Sequence, residues 1–173
     1  LSHDAIEAQV YDYALLQDQS MAAAFYADKP DEYAHVPENF VKLADMVLAH
    51  SPECKLILEH TWGYKKEDCK GFKTIEKFND MLREGCATIA ALKNAEISHI
   101  GDAFIAVDTK KLGNSLHASD DHHQSYYGSY LKACVNYLMI TGEPFNENVA
   151  NCGIGPQKAE ILRKAAGKTV LGE

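Results

Sequence analysis

Three short apolar runs, separated by long helical stretches, limit what this chain can become. The runs are YDYALLQ (Tyr11 to Gln17), CKLILEHTW (Cys54 to Trp62) and ISHIGDAF (Ile97 to Phe104), the last running into a helix or turn. Between the first two, from Pro37, the residues Phe40, Leu43, Ala44, Val47 and Leu48 recur at helical spacing until Ser51 and Pro52 stop them. Between the second and third, Phe72 to Leu92 carries Phe78, Leu82, Cys86 and Ile89 on one face. Beyond the third run the signals are helical. Ser125 is a good N-cap for a face of Tyr127, Leu131, Cys134 and Leu138, and Gly142 with Pro144 closes it. A last helix is expected over Pro156 to Ala166, with Pro at its start and Gly167 after it.

Strands alternating with helices of this length belong to the α/β class, with a parallel sheet covered on both faces. Ligands of such sheets sit beyond the carboxyl ends of the strands. Those ends are polar in this chain: QDQS (Gln17 to Ser20), EHTW (Glu59 to Trp62) and HIGDA (His99 to Ala103).

A chain of 173 residues suits one domain with a real core. No apolar run approaches the roughly 20 residues that would span a bilayer, and no signal-peptide pattern is present. A formal net charge of -8 argues against a phosphate-backbone partner. The five cysteines, Cys54, Cys69, Cys86, Cys134 and Cys152, form no C-x-x-C pair, which disfavours a zinc ribbon or a redox motif. No cofactor is expected.

The chemistry gathers in SDDHHQSYYGSYL, Ser119 to Leu131. A histidine that takes a proton from a hydroxyl needs one ring nitrogen free and the other held by an acceptor. Asp120, three residues before His123 in a turn entering a helix, can reach that second nitrogen and fix the tautomer. By themselves D-x-x-H residues also suit a metal or plain solvation.

The longer string SDDHHQSYYGSYLKAC resembles the last block of the SGNH hydrolases, the GDSL-like esterases and lipases. One bacterial branch reads D-x-x-H-x-S-x-x-G-x-Y-L-x-A there, and Asp120, His123, Ser125, Gly128, Tyr130, Leu131 and Ala133 fall in register. YDYALLQDQS is similar to that branch's WDYVVLQEQS, GDAF (Gly101 to Phe104) to the segment after its later strand, and LILEHTWGY more loosely to another. The resemblance implies a three-layer α/β/α, flavodoxin-like fold with a mostly parallel sheet. It also implies ester hydrolysis through a Ser–His–Asp arrangement, with His123 as general base and Asp120 as its orienting partner. Gln19 stands where relatives carry an oxyanion-hole donor, and Gln17, His60 and Trp62 complete the expected oxyanion and substrate set.

One departure matters. The family's serine block and the glycine block that follows it have no counterpart in the first eleven residues, whose sole serine is Ser2. Residues 1–173 are therefore expected to form one SGNH-hydrolase-like domain, incomplete at its amino end, with the first strand or strands and the nucleophile upstream. Ser20, Ser115, Ser119 and Ser125 are weaker nucleophiles, since Ser125 reads as a cap and Ser20 lacks a glycine-flanked elbow. The expected partner is a small or carbohydrate-linked ester, and family analogy suggests export.

Three rival readings remain open. His117, Asp120, Asp121, His122, His123 and His60 offer zinc donors, although no H-E-x-x-H spacing is present. GIGPQKAEIL (Gly153 to Leu162) looks like a helix-hairpin-helix turn, but Gly142 and Pro144 interrupt its first helix. A non-catalytic binder could stack a sugar on Trp62, Tyr64, Tyr126 or Tyr127.

Overall fold

The computed structural model describes residues 2–65 and 71–172, so Cys69 lies outside the described residues. Two compact units emerge: Leu1–Thr61 with Asp80–Ile97, and Trp62–Asn79 with Ser98–Glu173.

The first unit carries α1 (Ser2–Glu7), β1 (Tyr13–Leu16), α2 (Ala22–Asp28), α3 (His35–His50) and β2 (Lys55–Glu59). Most of α4 (Ile75–Ala91) and of β3 (Glu96–Ser98) belongs to it as well. The sheet order is β1-β2-β3, and β1 runs parallel to β2 with Tyr13 opposite Lys55 and Leu16 opposite Leu58. The two-residue period of a strand sends Leu16, Leu56 and Leu58 to one face. There they join Phe40, Ala44 and Val47 of α3 and Cys86, Ile89 and Ala90 of α4 in one buried cluster. The buried face of α4 is the one its spacing indicates, and covering a side chain such as Leu82 is worth about 1.5–3 kcal/mol. Gly85 is required by contact: a Cβ there would lie 1.9 Å from the Ala23 carbonyl oxygen of α2.

The helix α3 starts at His35 rather than Pro37, which places the proline in the first turn, where its missing N–H is not needed. Ser51 ends it, its N–H donating to the Val47 carbonyl at 2.7 Å. The Ser51 hydroxyl accepts the Tyr11 N–H at 3.1 Å and so ties this end to the approach to β1.

The second unit holds α5 (Ile100–Ala106), α6 (Thr109–Leu112), α7 (Tyr126–Thr141) and α8 (Pro156–Val170). Ile100, Phe104, Leu131, Val135, Leu138 and Leu162 centre its core. As its capping residues indicate, α7 starts after Ser125 and stops at Gly142, which is left-handed with φ 67. The expected end of α8 at Ala166 needs correcting, because the helix runs through Gly167 to Val170. Its apolar face continues through Ala165 and Ala166 to Val170 and Leu171, and that packing offsets the roughly 1 kcal/mol a helical glycine costs. Within GIGPQKAEIL, Gly153 is left-handed, Ile154 is buried and Pro156 opens α8. Tyr130 and Arg163 pin the loop before it, through the Ala150 carbonyl and the Asn151 side chain.

Three helices have no clear signature in the pattern: α1, α2 and α6 have six, seven and four residues. Less than two full turns leaves too little periodicity to detect. No described helix is long and apolar enough to cross a membrane.

Candidate active site

The segment from Ser115 to Ser125 folds back on itself just before α7. His117 and Gln124 form an antiparallel bridge, the Ala118 N–H donates to the His123 carbonyl at 2.8 Å, and the Ser125 N–H donates to that of Leu116 at 2.8 Å. Asp121 turns the chain at its tip in the left-handed region, φ 61, which aspartate and asparagine tolerate better than most residues.

Asp120 organises the turn. One carboxylate oxygen, Oδ1, accepts the backbone N–H groups of His122 and His123, each at 3.0 Å. The other, Oδ2, lies 2.6 Å from Nδ1 of His123. The histidine contact, followed by the two amides, holds the Asp120 carboxyl well below the usual carboxylate range. An ionised carboxylate can only accept, so Nδ1 carries the proton. In a neutral ring that leaves the lone pair on Nε2, which has no hydrogen-bond partner among the described residues. The His123 side chain is 79% exposed and that of Asp120 46%.

The platform beneath is tightly seated. Ser125 Oγ accepts the Gly128 N–H at 3.3 Å and donates to the Ser115 carbonyl at 2.7 Å. Gly128 permits the close approach: a Cβ there would come within 2.3 Å of the Leu116 carbonyl oxygen and 2.9 Å of the Phe104 ring. His117 lies beneath, its Nε2 2.9 Å from the Gly63 carbonyl oxygen. Burial chiefly pushes its imidazole down from its ordinary value, so the neutral ring donates to that carbonyl.

Trp62, expected to meet substrate, is only 4% exposed and stacks on Phe104 with ring centres 4.8 Å apart. Its Nε1–H donates to the His122 carbonyl at 2.9 Å. Tyr64 is buried too, its ring centre 4.3 Å from that of His122, whereas Tyr126 is exposed. The second unit thus brings Asp120, His123 and Trp62 together.

Gln17, Gln19 and His60 belong to the first unit. Gln17 and Gln19 line a cavity of about 160 Å³ whose wall includes Leu16, Val36, Phe40, Leu58 and Ile89. The Gln19 side-chain oxygen accepts the Met21 N–H at 2.9 Å, which leaves its NH₂ as the group with donors to offer. His60 has no exposed surface. Ser20 accepts the Thr61 hydroxyl at its carbonyl, 2.8 Å away.

A second His–Asp pair escapes detection in the sequence. His99 Nδ1 lies 3.1 Å from Asp102 Oδ2, and Asn79 donates to Asp102 Oδ1 at 2.8 Å. Its signal was available, since H-x-x-D in HIGDA is the same three-residue spacing reversed.

These features define an α/β fold similar to that of SGNH hydrolases. Two solved structures share that fold. A DUF4886 family protein from Bacteroides uniformis ATCC 8492 superposes with a TM-score of 0.81 at 22% identity, over 98% of this chain and 66% of that one. A protein described as "a putative SGNH hydrolase" from Slackia heliotrinireducens superposes with a TM-score of 0.62 at 21% identity, over 79% of this chain and 70% of that one. The chain thus spans about two thirds of the first neighbour's length. No family model and no curated protein matches it.

Proposed function

We propose that this chain supplies the acid–base half of a serine ester hydrolase of the SGNH type, acting on a small or carbohydrate-linked acyl ester. The serine would come from a segment upstream of Leu1. The observation that carries the reading is the 2.6 Å contact between Asp120 Oδ2 and His123 Nδ1, with Nε2 left open at an exposed position.

The chemistry follows from that geometry. The serine hydroxyl passes its proton to His123 Nε2 as its oxygen adds to the ester carbonyl. Asp120 stabilises the imidazolium without taking the proton. The tetrahedral adduct collapses, His123 returns the proton to the departing alcohol, and an acyl-serine remains. Water then loses a proton to the same nitrogen as it adds to the acyl carbonyl, and on collapse His123 returns that proton to the serine oxygen, which releases the acid and the free serine. Gln19 is read separately as an oxyanion donor; where such an amide has been removed the loss is roughly 10²–10³ in rate.

The test is hydrolysis of a chromogenic acetate ester by the complete protein. Asp120→Asn should lower kcat by about 10⁴, the scale seen when a triad histidine loses its tautomer, and His123→Ala, which removes the base itself, by at least as much. Asp121→Asn should leave kcat within a few-fold. Wild-type turnover in His123→Ala removes the reading.

A further inference from the structure

The dyad itself is exposed, so little packs on it, and its precision has to come from what grips the turn. That grip comes from four successive residues about sixty positions away in sequence. Trp62 donates its indole N–H to the His122 carbonyl at 2.9 Å. The Gly63 carbonyl accepts from His117 at 2.9 Å, the Tyr64 ring lies against the His122 ring, and the Lys65 N–H donates to the Asp121 carbonyl at 2.9 Å. The segment is itself immobilised. A Cβ on Gly63 would fall 2.8 Å from the Ile75 carbonyl oxygen, and the Trp62 ring lies flat on Phe104, 10° from parallel.

The geometry points to Trp62 as a positioning residue for His123, acting through the carbonyl of the residue immediately before it. This inference rests on the reading of His123 as the general base. Indole Nε1–H can only donate, and a buried one needs an acceptor. Here the acceptor sits at the point where the turn delivers the catalytic ring. Trp62 touches no reacting atom; it sets where Nε2 points. Misplacing a catalytic group by about 1 Å can cost around 10² in rate.

The decisive variant is Trp62→Phe, which keeps a ring over Phe104 and removes the N–H. In the complete protein, kcat on a chromogenic acetate ester should fall about 10- to 100-fold with KM unchanged. In a His123→Ala background the same substitution should change the residual rate less than about twofold, because Trp62 acts only through His123. Hydrogen exchange at the His122 and His123 amides should quicken while α7 and α8 keep their protection. Wild-type kcat in Trp62→Phe, an equal loss in both backgrounds, or unchanged exchange in the turn each overturns the inference. Should Trp62→Phe fail to fold, His117→Phe, which removes the bond to Gly63 instead, is read the same way. A complete protein that hydrolyses no ester sinks the general-base reading, and the exchange measurement alone then decides whether Trp62 holds the turn.

Discussion

Asp120 does two jobs with its two oxygens, and substitutions can separate them. Asparagine keeps an oxygen for the His122 and His123 amides but turns an NH₂ toward Nδ1, so the turn survives while the tautomer inverts. Alanine loses both. Asp120→Asn should therefore leave exchange in the turn close to wild type, and Asp120→Ala should raise it; equal exchange in the two variants would contradict the division of labour. Asp121 is a different case, since its φ of 61 suits asparagine as well as aspartate. The Asp–His contact was legible because three residues and a following cap limit where the carboxylate can reach. The enclosure of Trp62 was not legible, since an apolar aromatic at a strand end looks the same whether it faces a ligand or fills a gap.

At the scale of elements, two close approaches carry more than propensity does. Where α4 passes α2, a methyl group on Gly85 would collide with backbone, not with a side chain that could rotate away. Gly85→Ala should cost about 1–3 kcal/mol as overpacking, a loss measurable by urea denaturation. At the start of α7, Ser125→Ala removes the acceptor for Gly128 and the donor to Ser115 together. The expected cost is about 0.5–2 kcal/mol, read as a Tm lower by about 2–4 °C for each kcal/mol. Ser125→Ala leaves His123 itself untouched, so a fall in its kcat at temperatures where the protein stays folded would mean that the platform also positions the base. The cap was visible as a serine before an apolar periodic run. Gly85 was not, because a glycine inside a helical pattern does not say which neighbour crosses it.

For the whole molecule, His117 links stability to pH. Burial is the main cause that lowers its folded value, Lys65 adds to it, and the Gly63 carbonyl, Asp121 and Asp120 oppose it. Below the ordinary imidazole value of about 6.5 the unfolded chain takes up a proton that the folded chain resists. The contribution is thus complete above about 6.5 and is lost as pH falls through the lower folded value. The urea midpoint should drop between about pH 7.5 and 5, and His117→Phe should flatten that drop; an unchanged slope would remove His117 as its source. Asp120 acts in the same direction at lower pH, its share being lost below the ordinary carboxylate range. Order and class of the main elements, the start and stop of α7 and the turn that carries Asp120 and His123 were written in the chain, because each depends on residues a few positions apart. The union of residues 62–65 with 117–122 and the enclosure of Trp62 were settled only on folding. Hydrogen-bonding groups of this kind carry no record of their partner's position, and long-range packing alone chooses among the acceptors they could meet.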